Sequence, residues 1–169
     1  MVDKPVIRGL HHNAYRCRDA EETRKFYEDF LGLELADAFE IGVTKTGRGT
    51  RVLHVFFEMA DGSFLAFFEA PGHPFQFKNQ HDFDLHIALE VDMETLHRMF
   101  QKGQEIGIET RGISDHGFIH SIYFRDPNGY VIELTAKTDA RDERDWTAIK
   151  KEAREVLANW TATKPADAA

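Results

Sequence analysis

The chain has 169 residues, enough for one domain or two half-modules around a shared core and too few for two full domains. Its 21 Lys and Arg against 29 Asp and Glu leave a formal charge of −8, which argues against nucleic acid as a default partner, because phosphate recognition needs clustered positive charge. The composition, 42% hydrophobic and 30% charged, is that of an ordinary globular protein. No apolar run is long enough to cross a membrane, residues 1–10 lack the apolar stretch of a secretory signal, and the single Cys17 forbids an intramolecular disulfide; a cytoplasmic protein is expected.

In chain order, residues 5–17 read as a strand, and Asp19 is placed to cap a helix that carries Phe26, Phe30 and Leu31 on one face and stops at Gly32. Strands are expected at 33–44, 50–60 and 63–70, with Gly47 and Gly49 marking the first gap and Asp61-Gly62 making a hairpin of the last two. A looser stretch, 71–83, separates this half from the next. There, 84–91 reads as a strand and 93–103 as a helix with Leu96, Met99 and Phe100 inward and Gly103 at its end. Strands follow at 105–111, 118–125 and 129–136, the last two joined by the turn Asp126-Pro127-Asn128-Gly129.

The order strand–helix–strand–strand–strand therefore occurs twice. This predicts an α+β fold of two tandem modules forming a cupped mixed sheet around a shared concavity, within one domain spanning 1–138 (module one about 5–70, module two about 84–136). Residues 139–161 complete the chain with an amphipathic helix whose stripe includes Trp146, Ile149, Ala153, Val156, Leu157 and Trp160. That stripe either caps the domain's own apolar surface or forms a subunit contact; 162–169 read as a disordered tail. Fourteen phenylalanines are the compositional oddity, and eight of them crowd into 56–83.

Nine histidines are present, and position within the duplication sorts them. His12 falls in the first strand of module one and His86 in the first strand of module two, 74 residues on. Glu133 lies in the last strand of module two inside the apolar run Tyr130 to Leu134, where a carboxylate is costly unless it is paired or binds a cation. Two histidines and one carboxylate are the donor set of non-haem Fe(II) sites with open coordination positions.

At these residues the chain resembles the glyoxalase / bleomycin-resistance / extradiol-dioxygenase superfamily, the vicinal oxygen chelate fold. The segments that carry the resemblance are His12-Asn13-Ala14-Tyr15-Arg16-Cys17 with Asp19, Phe26-Tyr27 and Leu31-Gly32; His86-Ile87-Ala88-Leu89-Glu90-Val91; and Asp126-Pro127-Asn128-Gly129-Tyr130-Val131-Ile132-Glu133-Leu134. The resemblance covers about 5–136 and implies a metal held by His12, His86 and Glu133, with His12 rather than His11 in register.

Aligning the last strands of the two modules puts Ala66 where glyoxalase I-like and epimerase-like members carry a fourth ligand, and leaves Glu69 on the other face. A three-ligand site suits a chelating diol and O₂, so the pattern is closest to small type I extradiol dioxygenase-like proteins. The resemblance then implies ring cleavage of a catechol-like diol with Fe(II), with Mn(II), Zn(II) or Ni(II) as other metals, Tyr123 orienting substrate and His116 moving protons. Phe56, Phe64 and Phe75 are candidate walls for the substrate ring, and a homodimer is expected, in which modules pair within or between chains. The alternatives are a glyoxalase- or epimerase-like lyase or isomerase with Glu58 or Glu69 as base, a thiol-transfer resistance enzyme drawing on Arg48, Arg51 and Lys78, and a non-catalytic small-molecule-binding module.

Overall fold

A computed structural model describes residues 6–43 and 49–165. Module one is β1 (His12–Cys17), α1 (Ala20–Arg24), β2 (Glu34–Val43), β3 (Gly49–Glu58) and β4 (Phe64–Glu69). Module two repeats the order as β5 (His86–Glu90), α2 (Met93–Glu105), β6 (Thr110–Asp115), β7 (Ile119–Arg125) and β8 (Val131–Lys137). Each module builds its own four-stranded sheet, ordered β1-β4-β3-β2 and β5-β8-β7-β6, with the first strand parallel to the last and every other pair antiparallel. The expected duplication is thus present. Arg48 and Gly47 lie outside the described residues.

Asp19 caps α1 by accepting the Glu22 amide at 2.8 Å, as its position before the apolar run predicts. The helix then widens into a π-helical turn over Lys25–Phe30, with Leu31 N–H reaching back to Phe26 O at 3.0 Å. Phe26, Tyr27 and Phe30 are buried, and Leu31 packs half-buried against the same core, so Tyr27 is an inward residue beyond those expected. In module two, Gly103 is no helix stop. α2 continues to Glu105, because Gly103 is where the helix presses on the sheet: a Cβ there would lie 2.6 Å from the Phe124 ring. The chain turns instead at Gly107 (φ +76°), which moves β6 from the expected 105–111 to 110–115.

The helix-covered faces of the two sheets form one continuous core. Tyr27, Phe57 and Phe67 from module one meet Leu96, Ile122, Phe124 and Ile132 from module two, with Phe30 edge-on to Phe124 at 5.1 Å. The Asp126-to-Gly129 turn locks the modules together. Asp126 accepts from the amides of Asn128 and Tyr130 and from the Tyr27 hydroxyl, and Asn128 accepts the Arg18 amide at 2.8 Å. Burial of polar groups is tolerated here because each finds a partner. Gly129 adopts φ +93°, and a Cβ on it would lie 2.6 Å from Asn79 N, so the linker can cross this turn only over a glycine.

The C-terminal region differs from expectation in two respects. It divides into α3 (Asp139–Asp142) and α4 (Trp146–Thr163), the latter capped by Asp145 and running past the expected boundary; residues 166–169 of the expected tail lie outside the described residues. No α4 residue is buried, and Trp160 is 63% exposed, so the stripe does not cap the domain's own surface. No helix among the described residues is long and apolar enough to cross a membrane.

Candidate metal centre

Strand alternation gives each sheet a second, open face opposite the core. On module two that face carries His86 and Ala88 of β5, Glu133 and Thr135 of β8, and Tyr123 of β7, as cross-strand partners in register: Ala88 opposite Glu133, and Glu133 opposite Tyr123. Together with Asp82, Phe83, His116, Phe118 and Ile119 they line a cavity of about 600 Å³, a volume suited to a small molecule. The linker and module two supply this lining, and no described residue of module one enters it.

His86 is set by two contacts. Its Nδ1 lies 2.7 Å from the main-chain carbonyl of Asp82, and a carbonyl can only accept, so Nδ1 carries the proton. Its Nε2 lies 3.2 Å from Glu133 Oε2. With Nδ1 as donor, Nε2 of a neutral ring and the carboxylate oxygen face each other as two lone pairs, which repel unless a proton or a metal cation lies between them. The spacing is close to the ~3 Å separating neighbouring donors around a metal with bonds of ~2.1 Å at right angles. Glu133 is 5% exposed, the burial at which an ionised carboxylate needs a cationic partner. These two residues therefore fit a divalent metal.

Tyr123 and His116 adjoin them. His116 Nε2 is 3.3 Å from Tyr123 Oη, and burial together with the charge of Glu133 holds the phenol above its ordinary pKa, as a proton donor. His120 faces away and lies 3.5 Å from Asp115, as its opposite strand parity requires.

His12 lies on the open face of module one. Its Nδ1 is 2.7 Å from His11 Nδ1 and its ring packs edge-on to Phe56 at 5.6 Å. Among the described residues, no three His, Cys, Asp or Glu side chains converge on one point. The structure therefore brings His86, Glu133, Tyr123 and His116 together, and leaves His12 on the other sheet.

The same face of module one is lined with aromatic rings: Phe56 packs on Phe64 at 5.9 Å and on Phe39 at 5.9 Å. His54, which the sequence places only on a strand, is buried there, donating Nδ1–H to Phe67 O at 3.0 Å and stacking on Phe68 at 3.7 Å. Ala66 shares this face opposite Phe56, whereas Glu69 points to the helix side and caps α1 through the Ala20 amide at 2.7 Å. Phe75 lies away from the cavity lining, under the Lys78 ammonium at 5.3 Å.

The family model of the Glyoxalase/Bleomycin resistance protein/Dioxygenase superfamily matches residues 9–134, nearly the whole of both modules. The chain belongs to this superfamily. Its solved relatives include a glyoxylase/bleomycin resistance protein/dioxygenase domain from Frankia sp. EAN1pec, with TM-score 0.63, 17% identity, 79% of this chain and 100% of that chain covered. A glyoxalase/dioxygenase from Nostoc punctiforme gives TM-score 0.60 and 24% identity, covering 82% of this chain and 100% of that one. The fosfomycin resistance protein FosX from Listeria monocytogenes, as a glutamate-to-glutamine mutant complexed with Mn(II) and 1S,2S-dihydroxypropylphosphonic acid, gives TM-score 0.60 and 23% identity, covering 82% and 100%. At these identities the likeness shows the fold alone. No curated protein matches the chain.

Sequence reasoning about this superfamily member missed two residues at the centre. Asp82 sits in the linker, where no strand periodicity points to it, and Arg111 belongs to the strand whose expected position was shifted by the longer α2. Arg111 grips the Asp82 carboxylate through both terminal nitrogens, each at 2.8 Å. Of the cations weighed for anion binding, the two among the described residues are not gathered here: Arg51 pairs with Glu40 at 3.7 Å, and Lys78 sits over Phe75.

Proposed function

We propose that this chain is a divalent-metal enzyme of the thiol-transfer resistance type: a thiol co-substrate forms a bond to a carbon of a small oxygenated molecule as a carbon–oxygen bond there opens, and the thiol's proton ends on the released oxygen. The observation that carries the reading is the convergence of His86 Nε2 and buried Glu133 at 3.2 Å, with the proton of His86 held on Nδ1 by a carbonyl. His12 would complete the donor set from a second copy of the chain, its Nδ1 engaged by His11 and its Nε2 left for the metal. The metal supplies Lewis-acid polarisation of the bound substrate oxygens. Tyr123, kept protonated by burial and by Glu133, orients a substrate oxygen and donates to it. His116 takes up or returns that proton across its 3.3 Å contact with Tyr123 Oη. Phe118 and Ile119, both half-buried, give the cavity its apolar wall beside the reacting group.

Ala66 in place of a fourth carboxylate disfavours the glyoxalase I-like and epimerase-like readings. The likeness to FosX, a resistance protein complexed with Mn(II) and a diol, favours the resistance-enzyme reading and makes Mn(II) the first metal to test, ahead of Fe(II). The dispersal of Arg51 and Lys78 speaks against a phosphonate as the substrate's anionic group. Ring cleavage of a catechol is the second reading, and the Tyr123–His116 pair beside Glu133 is the observation in its favour.

Subunit complementation tests the assembly of the site. His12→Ala and Glu133→Ala chains each lose tight Mn(II) binding alone. Refolded as an equal mixture, they recover about one quarter of the wild-type sites, because each mixed dimer carries one intact set of ligands. No recovery, with each variant dimeric, would overturn the two-chain site. Thiol-dependent turnover of small epoxides without oxygen consumption supports thiol transfer; oxygen uptake with a yellow product from catechols would replace it with ring cleavage.

A further inference from the structure

His86 is the first residue of β5, so the ladder that pairs β5 with β8 begins at its own position and nothing N-terminal to it in the strand holds its ring. The group that does hold it is the Asp82 carbonyl, which belongs to the linker rather than to the sheet. The linker main chain is held on either side of Asp82, by the Gln80 N–H on Gly129 O and by the Asp84 and Leu85 amides on His81 O, and at Asp82 itself the side-chain anchor comes from the opposite edge of the sheet. Arg111 stands on edge strand β6, opposite Tyr123, which stands opposite Glu133, which stands opposite Ala88 of β5. From that row its guanidinium reaches the linker and closes a two-pronged bond on the Asp82 carboxylate, Nη1 to Oδ2 and Nη2 to Oδ1 at 2.8 Å each. The guanidinium also covers the Tyr123 ring at 5.4 Å from its centre, and Glu109 steadies its Nε at 3.7 Å.

We propose that Arg111 is a positioning residue for His86. It fixes the Asp82 main chain, the Asp82 carbonyl fixes the proton on His86 Nδ1, and Nε2 is thereby presented to Glu133 as a ligand atom. The clamp runs from one edge strand of module two to the other. It rests on the reading of His86 as a metal ligand only in its consequence for metal affinity; its effect on the imidazole precedes any metal. A flat, forked cation is required, because one rotatable ammonium cannot fix the plane of the carboxylate from two points.

The experiment uses the full chain with Arg111→Gln, Arg111→Lys, Asp82→Asn and the double variant Arg111→Gln/Asp82→Asn, and Glu22→Gln as a control remote from the clamp. Arg111 is 44% exposed in its side chain, so these chains fold, which circular dichroism and the melting temperature verify. Imidazole nitrogen NMR of the metal-free protein reads the tautomer of His86 directly. Wild type shows the proton on Nδ1; the clamp variants, the lysine included, show a mixture of both tautomers. Titration with Mn(II) alone then gives a 10- to 100-fold weaker Kd in each clamp variant, with the double variant no worse than the singles, while Glu22→Gln matches wild type. A His86 tautomer unchanged in Arg111→Gln overturns the clamp. A changed tautomer in a protein whose wild type binds no Mn(II) leaves the clamp standing and sinks the metal reading instead. Arg111→Lys behaving as wild type in both measurements would overturn the requirement for the fork.

Discussion

Tyr27 and Asp126, 99 positions apart, share a buried hydrogen bond of 3.0 Å from the phenol to Oδ2, and this bond ties the first helical segment of module one to the final turn of module two. Burial pushes the Asp126 carboxyl above its usual pKa, while the amides of Tyr130 and Asn128 and the Tyr27 hydroxyl pull it back. Tyr27→Phe removes one donor without a cavity and is expected to cost about 1–2 kcal/mol, a fall of roughly 3–6 °C in Tm. Asp126→Ala leaves several donors unpaired and is expected to cost about 3 kcal/mol or more. Thermal melts measure both, and a cost below about 0.5 kcal/mol for Asp126→Ala would contradict the role given to the turn.

Gly129→Ala should destabilise the chain and disturb the linker at once. The residue adopts φ +93° and would bring a Cβ to 2.6 Å from Asn79 N and 2.8 Å from Lys78 N, both main-chain atoms with little room to retreat. A loss of about 2 kcal/mol or more is expected. Faster amide exchange at Lys78 and Gln80, whose N–H groups bond Asn128 O and Gly129 O at 2.9 Å, would locate the damage. Unchanged exchange there would disprove it.

Cys17 should resist alkylation in the folded protein. Burial pushes its thiol up to about 11, with the charge of Glu69 adding to the effect, against about 8.5 in an unfolded chain. Because the folded chain holds this proton more tightly, the contribution to stability is complete below the unfolded value and is lost as pH rises through about 11. Labelling at pH 8.5 is expected to be slow in buffer and fast in denaturant, and the unfolding free energy should decline from about pH 9 upward. Equal labelling rates in both conditions would refute the burial argument.

The exposed stripe of α4 carries its own prediction. If it joins two copies of the chain, Trp160→Glu weakens the dimer by about tenfold or more, the loss expected for an aromatic anchor. The helix content stays the same, since no α4 residue is buried. Sedimentation across a concentration series measures this, and an unaltered dimer would remove α4 from the interface.

Much of this was legible in the sequence because it depends on short-range signals. The repeat of elements, the cap at Asp19, the Asp61-Gly62 hairpin and the parity of Glu133, Tyr123 and His120 along their strands all follow from local chemistry. What escaped depends on distant partners. Gly103 looks like a helix stop until Phe124 is seen against it, and α4 looks like a cap until the domain is seen to have no place for it. Asp82 and Arg111 meet across 29 positions through a shift in strand boundary that no local pattern records. The separation of His12 from His86 and Glu133 is a matter of how modules are arranged in space, on which a one-dimensional repeat is silent.

The phenylalanine excess has a last consequence, for how the chain finds its own alignment. Strands β3 and β4 each carry adjacent rings, Phe56-Phe57 and Phe67-Phe68, so a slip of one residue would exchange ring for ring on both faces and leave the sheet nearly as greasy as before. Greasiness therefore cannot tell the correct hairpin from its nearest impostor. The discriminating information lies in the bend between them, where Ser63 N–H takes Asp61 Oδ1, Met59 N–H takes Ser63 O and Gly62 alone accepts φ +77°. A few small polar atoms there decide which rings face His12 and which face the core.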